Sequence, residues 1–380
     1  MSCLPEPTGR GCRSEAGGGR REALRRLARD GLARIGNPDL EAGQTAPSPR
    51  PGERLSEMRR LGGGRNSQVY AWRDAECGAV VLKRYHRLPG DARDRLHVEF
   101  TALSFLWREG ERAIAQPLAA FPELDCALYS FVEGVPPRVD EAAASDLEEM
   151  IAFWERLNAL AGQGKGRELP VASEGSFSAA ELLAILTRRR SRLATLTGPL
   201  ASEARAFLRG PFDRLAEEVA RSLQGPAAAE HVLDHAERTL SPSDFGLHNA
   251  VKRPDGSLAF VDFEYFGWDD PVKLVSDVLL HPGMSLRDAL GRRFLAAVAR
   301  RVIRPEAFSA RLARLMPLHA LKWTLILLNE FTTSGAQRRA FAGIFDDPAE
   351  LRAEQLAKAD RMLDRARWLF HNPMLPREFP

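Results

Sequence analysis

The sequence predicts an α+β chain of two lobes: a small antiparallel five-stranded sheet lobe, then a large helical lobe with an embedded β-hairpin. Three observations carry this. Between residues 55 and 134, short runs of β-branched and aromatic residues alternate with Gly, Pro and Asp turns around a single helical segment. From Asp140 onward, apolar residues recur mainly at helical spacing. A Pro254-Asp255-Gly256 turn interrupts that run between two short apolar strands.

The elements follow in order. Residues 1–50 are rich in Gly, Pro and Arg and read as a disordered basic extension, with one amphipathic helix over Arg21–Ile35 carrying Leu24, Leu27 and Leu32. Residues 51–134 form the sheet lobe. A strand leads into the Gly-rich turn 62–64, and two strands around Val69–Ala71 and Val80–Leu82 flank a turn at Asp74–Gly78. Ala92–Arg108 is a helix with Leu96, Phe100 and Leu103 at i, i+4, i+7, and strands follow at Ala119–Phe121 and Ala127–Val132. Residues 135–380 form the helical lobe, with helices over 142–161, 178–195, 201–222, 227–237, 272–280, 286–302, 305–332 and 347–370. The hairpin strands are Ala250–Lys252 and Ser257–Phe263, so Asp262 falls at a strand end.

Composition excludes several classes. With 44% apolar and 28% charged residues in 380, the chain is globular, and no apolar run approaches the roughly 20 residues that span a bilayer. The first residues lack the apolar core of a secretory signal. Four scattered cysteines without a CxxC pair fit no zinc site or disulfide framework and point to the reducing cytoplasm. Net charge is +3, divided as +3 over residues 1–50, +7 over 281–380 and −7 between them. Arg287, Arg292, Arg293, Arg300 and Arg301 recur at helical spacing, which makes a solvated face and not a nucleic-acid surface. Only 6 of 54 basic residues are lysine, so the position of each one carries weight.

Three places carry candidate chemistry. Gly62-Gly63-Gly64 lies between two strands, where bare backbone N–H groups can approach phosphate oxygens; no GK[ST] follows, so it is not a Walker loop. Lys83 ends an apolar strand, and Glu99 lies among apolar neighbours in the next helix, an arrangement that satisfies both charges if they meet. Taken singly, the glycines also fit a plain hairpin and Lys83 an edge strand. The third place is more specific. Asp244 and Asn249 share one irregular loop, and Asp262 folds back beside it after the hairpin. An amide and a carboxylate oxygen converging there suit Mg²⁺, and a nearby carboxylate can take a proton from a hydroxyl.

The order of a Gly turn, Lys83, Glu99, Asp244-x4-Asn249 and Asp262 resembles a protein-kinase-like phosphotransferase. The aminoglycoside phosphotransferase/choline kinase family is the nearest pattern: HGDxxxxN, then a strand ending in IDxxxxxxxDPxxxDL. Asp270-Pro271 stands at the expected distance from Asp262, and Asp277 slightly later than the pattern's last Asp. Asp244-Phe245-Gly246 spells the DFG of protein kinases, but its spacing to Asn249 is that of the catalytic loop, so Asp262 takes the metal role. The family's His two residues before the catalytic Asp, which mainly supports the loop, is here Pro242. His248 is no simple replacement and fits a surface loop as well.

The resemblance covers residues 55–335 and implies the following. ATP binds between the lobes, with adenine on the backbone near Ser130 and Val132. Lys83, oriented by Glu99, and the glycines hold phosphates. Asn249 and Asp262 hold Mg²⁺, and Asp244 is the base for a small-molecule hydroxyl. The basic C-terminal segment disfavours a polycationic aminoglycoside and leaves sugars, amino alcohols or related metabolites. Pro242 motivates the alternative, a pseudokinase that binds nucleotide or acts as a scaffold. Asp270 and Asp277 read as capping and loop-bonding residues, Trp268 and Trp323 as core, and Glu330 as a solvated helix position.

Overall fold

A computed structural model of the chain describes residues 17–35, 57–61, 66–87, 93–223, 232–284, 286–343 and 348–373. The N-terminal lobe contains helix α1 (Gly17–Ile35), strands β1 (Arg59–Leu61), β2 (Ser67–Asp74) and β3 (Gly78–Tyr85), helix α2 (Arg95–Arg108), and strands β4 (Pro117–Phe121) and β5 (Cys126–Ser130). The strands make one antiparallel sheet in the order β1-β2-β3-β5-β4. Register sorts its two faces. Tyr70↔Leu82, Trp72↔Val80 and Leu82↔Leu128 lie on one face, while Val69↔Lys83, Val81↔Tyr129 and Lys83↔Ala127 lie on the other. The second face packs on α2 through Leu96 and Leu103, which places Lys83 on the side turned toward the rest of the molecule.

The first face is covered by α1, which matches the amphipathic helix expected near Arg21–Ile35 but corrects the reading of it as part of a disordered extension. Leu24, Ala28 and Ile35 are buried against Tyr70, Trp72, Val80, Leu82 and Phe121. An uncovered sheet face with these residues would expose a large apolar patch, and one amphipathic helix removes it from water. Gly31 permits the close fit, since a Cβ there would lie 3.0 Å from the Trp72 ring. Residues 1–16 and 36–56 lie outside the described residues. Leu24→Ala should lower stability by roughly 2–3 kcal/mol through the lost burial and the cavity left behind, read by thermal or urea unfolding.

The helical lobe comprises α3 (Ala144–Gly162), α4 (Ala179–Arg192), α5 (Ala201–Phe207), α6 (Asp213–Ser222), strands β6 (Thr239–Ser241), β7 (Ala250–Lys252), β8 (Leu258–Phe260) and β9 (Gly267–Asp269), then α7 (Pro271–Leu280), α8 (Asp288–Ala299), α9 (Pro305–Leu327), α10 (Thr333–Phe341) and α11 (Pro348–His371). Several boundaries differ from the sequence reading. The single helix expected over 201–222 is interrupted at Leu208–Phe212 by a π-turn holding Pro211. Of 227–237, the described part is only a 3₁₀ turn at His235–Glu237. The long helix expected to reach 332 stops at Leu327 and tightens into 3₁₀ over Leu328–Phe331. The second hairpin strand ends at Phe260, because Asp262 takes a φ of 67°. The pair β6–β9 and helix α10 were not anticipated. The arginines of α8 and of the turn after it are exposed, with Arg293 on Glu148 and Arg301 on Glu155 at 2.7 Å.

Two ties fix one lobe against the other. Val135 and Lys252 exchange backbone hydrogen bonds of 3.0 and 2.8 Å, pinning the linker to β7. Gly134, at φ 146°, makes this possible: a Cβ would fall 2.3 Å from the Lys252 carbonyl oxygen. The Phe260 N–H donates to the Ala113 carbonyl at 2.8 Å, joining β8 to the segment after α2. No described helix is long and apolar enough to cross a membrane.

Candidate active site

Lys83 reaches from β3 to two carboxylates in different lobes. Its Nζ donates to Glu99 Oε2 at 2.6 Å and to Asp262 Oδ1 at 2.7 Å. The Tyr85 hydroxyl donates to the same Glu99 oxygen at 2.9 Å, and the Phe263 N–H reaches Glu99 Oε1 at 3.3 Å. Glu99 is therefore held from three sides. Burial pulls Lys83 toward a lower pKa, but Asp262, Glu99 and Glu264 outweigh it and hold the ammonium well above its ordinary value.

The loop from Ser241 to Asn249 sits beside this cluster. Val261 N–H donates to the Asn249 carbonyl at 2.9 Å, placing Asn249 against the approach to Asp262. The Asn249 amide Nδ2 donates to the Asp244 carbonyl at 2.9 Å, which leaves Oδ1 as its available oxygen. Ser243 and Asp262 both adopt left-handed φ angles, 68° and 67°. Non-glycine residues held there carry a cost that concentrates at functional sites. Asp244 Oδ1 lies 3.0 Å from His248 Nε2 and 3.5 Å from His281 Nε2. Burial would raise the Asp244 pKa, but the His248 hydrogen bond and the two rings outweigh it and leave the carboxyl below its ordinary value, ionised at neutral pH.

The donor set fits a hard divalent ion. Asp262 uses Oδ1 for Lys83 and keeps a quarter of its side chain exposed, and Asn249 Oδ1, left over from the Nδ2 bond, is the second oxygen ligand on offer. Mg²⁺ ordinarily takes one or two protein oxygens and fills its shell with water and phosphate.

Other predicted positions are placed differently. Gly62, Gly63 and Gly64 lie outside the described residues. At Ser130 the N–H donates to the Gln116 carbonyl at 2.9 Å and the Oγ accepts from the Gln116 N–H at 2.8 Å. The N–H groups of both Ser130 and Phe131 are committed within the lobe, so Val132 is the linker position whose N–H stays a candidate for adenine. Trp268 is core, as read, with its indole N–H on the Gly166 carbonyl. Asp270 caps α7 through the Val272 N–H at 2.8 Å and also binds Arg311.

Asp244 faces a cavity of about 800 Å³ whose wall includes Glu174, Asp277, Lys322, Trp323 and Glu330. Glu330 is buried and paired with Arg339 at 3.4 Å, which corrects its reading as a solvated residue. Trp323 leaves the core reading too, lining the cavity and donating to Asp277 at 2.9 Å. Asp277 also meets Lys322 at 3.0 Å and Lys273 at 3.1 Å. Burial alone would raise its pKa, but the two lysines and His319 hold it well below the usual carboxylate range. Glu174 is held by Arg189 at 2.6 Å.

Residues without a role in the sequence reading complete the site. Lys273, fully buried, donates to Ser243 Oγ at 2.7 Å and Asp269 at 2.8 Å, anchoring the residue before Asp244. Glu264 accepts from Asn66 at 2.7 Å and lies with Glu99 and Asp262. The signals were present: Lys273 is one of six lysines and lies two residues beyond Pro271, and Glu264 lies two residues beyond Asp262. Burial, with Asp262 nearby, pushes Glu264 up to about 7. The nucleotide-free folded protein therefore holds a proton between about pH 4.5 and 7 that the unfolded chain releases, and stability falls as pH rises through that window. Glu264→Gln should remove this slope, so that its stability relative to wild type improves from pH 4.5 to 7 and then levels off in urea titrations.

Comparison with known proteins follows the same lines. The chain resembles the choline/ethanolamine kinase family protein of Mesorhizobium loti over 91% of its own length and 99% of that chain, at 18% identity and a TM-score of 0.54. It resembles the choline kinase LicA of Streptococcus pneumoniae over 82% and 94%, at 15% identity and a TM-score of 0.53. It also resembles an amicoumacin kinase, in complex with AMP-PNP, Ca²⁺ and Ami, over 90% and 96%, at 14% identity and a TM-score of 0.53. At these identities the likeness is one of fold, the protein-kinase-like fold of two lobes. No curated protein sequence matches the chain significantly. The model of one sequence family matches residues 57–317, from the start of the sheet lobe to the middle of α9. That span contains the Lys83–Glu99 pair, the loop around Asp244 and Asp262, and the chain belongs to the phosphotransferase enzyme family.

Proposed function

We propose that the protein transfers the γ-phosphoryl group of ATP, with Mg²⁺, to a hydroxyl of a small molecule. The observation that carries this reading is Lys83, whose Nζ joins Glu99 of the sheet lobe to Asp262 of the helical lobe beside the Asp244–Asn249 loop. Lys83 holds phosphate oxygens, and the Glu99 pair keeps its ammonium charged and aimed. Adenine lies against the linker at Val132. Mg²⁺, held by Asn249 and Asp262, supplies neutralisation of phosphate charge. Asp244, ionised and lining the cavity, orients the acceptor hydroxyl and takes its proton. Placement and charge stabilisation supply most of the rate in such a reaction.

The acceptor enters through the cavity facing Asp244. Asp277 and Glu174 on its wall are already paired with cations of the same wall, which favours a sugar, amino alcohol or related metabolite over a polycationic aminoglycoside. Mg²⁺-dependent ATP turnover across a panel of hydroxyl acceptors tests the reading, with Asp244→Asn as the control. Nucleotide binding with no Asp244-dependent turnover on any acceptor would make the protein a nucleotide-binding scaffold instead.

A further inference from the structure

We infer that His248 is a positioning residue that holds one carboxylate oxygen of Asp244 and reserves the other for the acceptor hydroxyl, with His281 stacked on its ring to fix it. The inference rests on the reading of Asp244 as the base.

His248 Nε2 is hydrogen-bonded to Asp244 Oδ1 at 3.0 Å, and His281 Nε2 lies 3.5 Å from the same atom. Hydrogen bonding settles which ring nitrogen carries the proton. His281 Nδ1 accepts the Gly283 N–H at 3.0 Å, so its hydrogen sits on Nε2. Among the described residues His248 Nδ1 is buried without a partner beside Gly246, where a hydrogen would be an unsatisfied donor. Its hydrogen therefore also sits on Nε2. One N–H donor thus holds Oδ1: a ring stacked parallel at 4.0 Å cannot have the same oxygen in its own plane, so His281 packs against His248 without sharing its bond.

The rings are themselves held. They stack at 4.0 Å with planes 8° apart, and His281 packs edge-on against Trp323 at 4.7 Å. Trp323 is in turn fixed by its bond to Asp277. Gly246 admits His248 to this position, since a Cβ there would lie 2.7 Å from His248 Nδ1 and 2.5 Å from Met284 Sδ. One carboxylate and two histidines also make a candidate cation site, but the ring arrangement opposes it. A metal lies in the plane of each imidazole it binds, and two parallel stacked rings cannot both contain one ion. The support absent at Pro242 is thus supplied from the other side of Asp244 and from the end of α7.

The test uses full-length protein. His248→Phe keeps a stacked ring and removes the N–H, and His281→Ala removes the ring on which His248 stacks. Each is expected to lower Asp244-dependent kcat roughly ten- to a hundredfold, with KM for ATP and Tm little changed. His248→Gln, which restores a donor, is expected to recover part of the loss. In ¹⁵N-histidine-labelled protein, one hydrogen-bonded Nε2–H resonance is expected, from His248, and Asp244→Ala should shift it. A His248→Phe variant with kcat within twofold of wild type would overturn the inference. So would a fall in kcat matched by a fall in Tm that Gln does not repair, or inhibition by micromolar Zn²⁺ that His281→Ala abolishes. If wild type and Asp244→Asn turn over alike, the base reading itself fails, while that resonance still decides whether His248 holds Asp244.

Discussion

Asp244→Asn is expected to lower kcat by roughly 10²–10⁴-fold while the affinity for Mg·ATP stays within about twofold. The split follows from geometry. Asp244 makes no hydrogen bond or ion pair with Lys83, Glu99 or Asp262, whose ion pairs define the phosphate end of the site. It faces the cavity and is paired with histidines. Asparagine keeps the shape and still offers a carbonyl oxygen to His248, so the loop is preserved and only proton acceptance is lost. Steady-state turnover with an acceptor, together with calorimetric titration of Mg·AMP-PNP, separates the two quantities. A parallel loss of nucleotide affinity would mean that Asp244 belongs to the metal site, and an unchanged kcat would remove it from the chemistry.

Lys273→Met is expected to destabilise the fold by roughly 3–5 kcal/mol, the usual cost of removing one member of a buried charged cluster. Lys273 contacts Asp269, Asp277 and Ser243 and is fully buried. Burial disfavours its charge, yet Asp269 and Asp277 outweigh burial and hold its pKa above the ordinary value. Its loss leaves Asp269, also fully buried, without its cation. Even with Lys273 in place, burial pushes Asp269 up to about 6. In the variant this carboxyl must stay protonated or remain as an uncompensated charge, so the deficit should be larger at pH 8 than at pH 5. Asp269→Asn combined with Lys273→Met should recover much of the stability, and urea unfolding of the four proteins of the cycle gives the coupling. Catalysis should not recover, because Ser243 still lacks its tether and Asp244 follows it in the chain.

Lys83, Glu99, Asp244, Asn249 and Asp262 were legible as candidates because each sits in a stretch whose spacing is constrained by local structure. Lys83 ends a β-strand, and period-two alternation chooses the face it occupies. Glu99 lies on the helix packed against that face. The loop and hairpin bring Asn249 beside the segment entering Asp262 through a single backbone bond. The histidine pair was not legible. His248 and His281 lie on separate elements, and nothing in the spacing says that two rings will stack. Glu330 and Trp323 were misread because single-residue expectations treat a helical glutamate as solvated and a tryptophan as core. The folding of α9, α10 and α11 around a polar cavity decides otherwise.

The N-terminal helix shows the same division. Its amphipathic pattern predicts a helix, but composition pointed to a mobile extension, and only the sheet supplies the apolar face that holds it. Local chemistry along the chain therefore determined the two lobes, the hairpin and the candidate groups, because strand period, helix period and turn residues act over a few neighbouring positions. Tertiary structure alone decided which cations neutralise which buried carboxylates, what supports the loop in place of a histidine at 242, and which nitrogens face Asp244. Those outcomes depend on burial and on distances between residues far apart in sequence, where a change of one ångström separates a hydrogen bond from a contact without one.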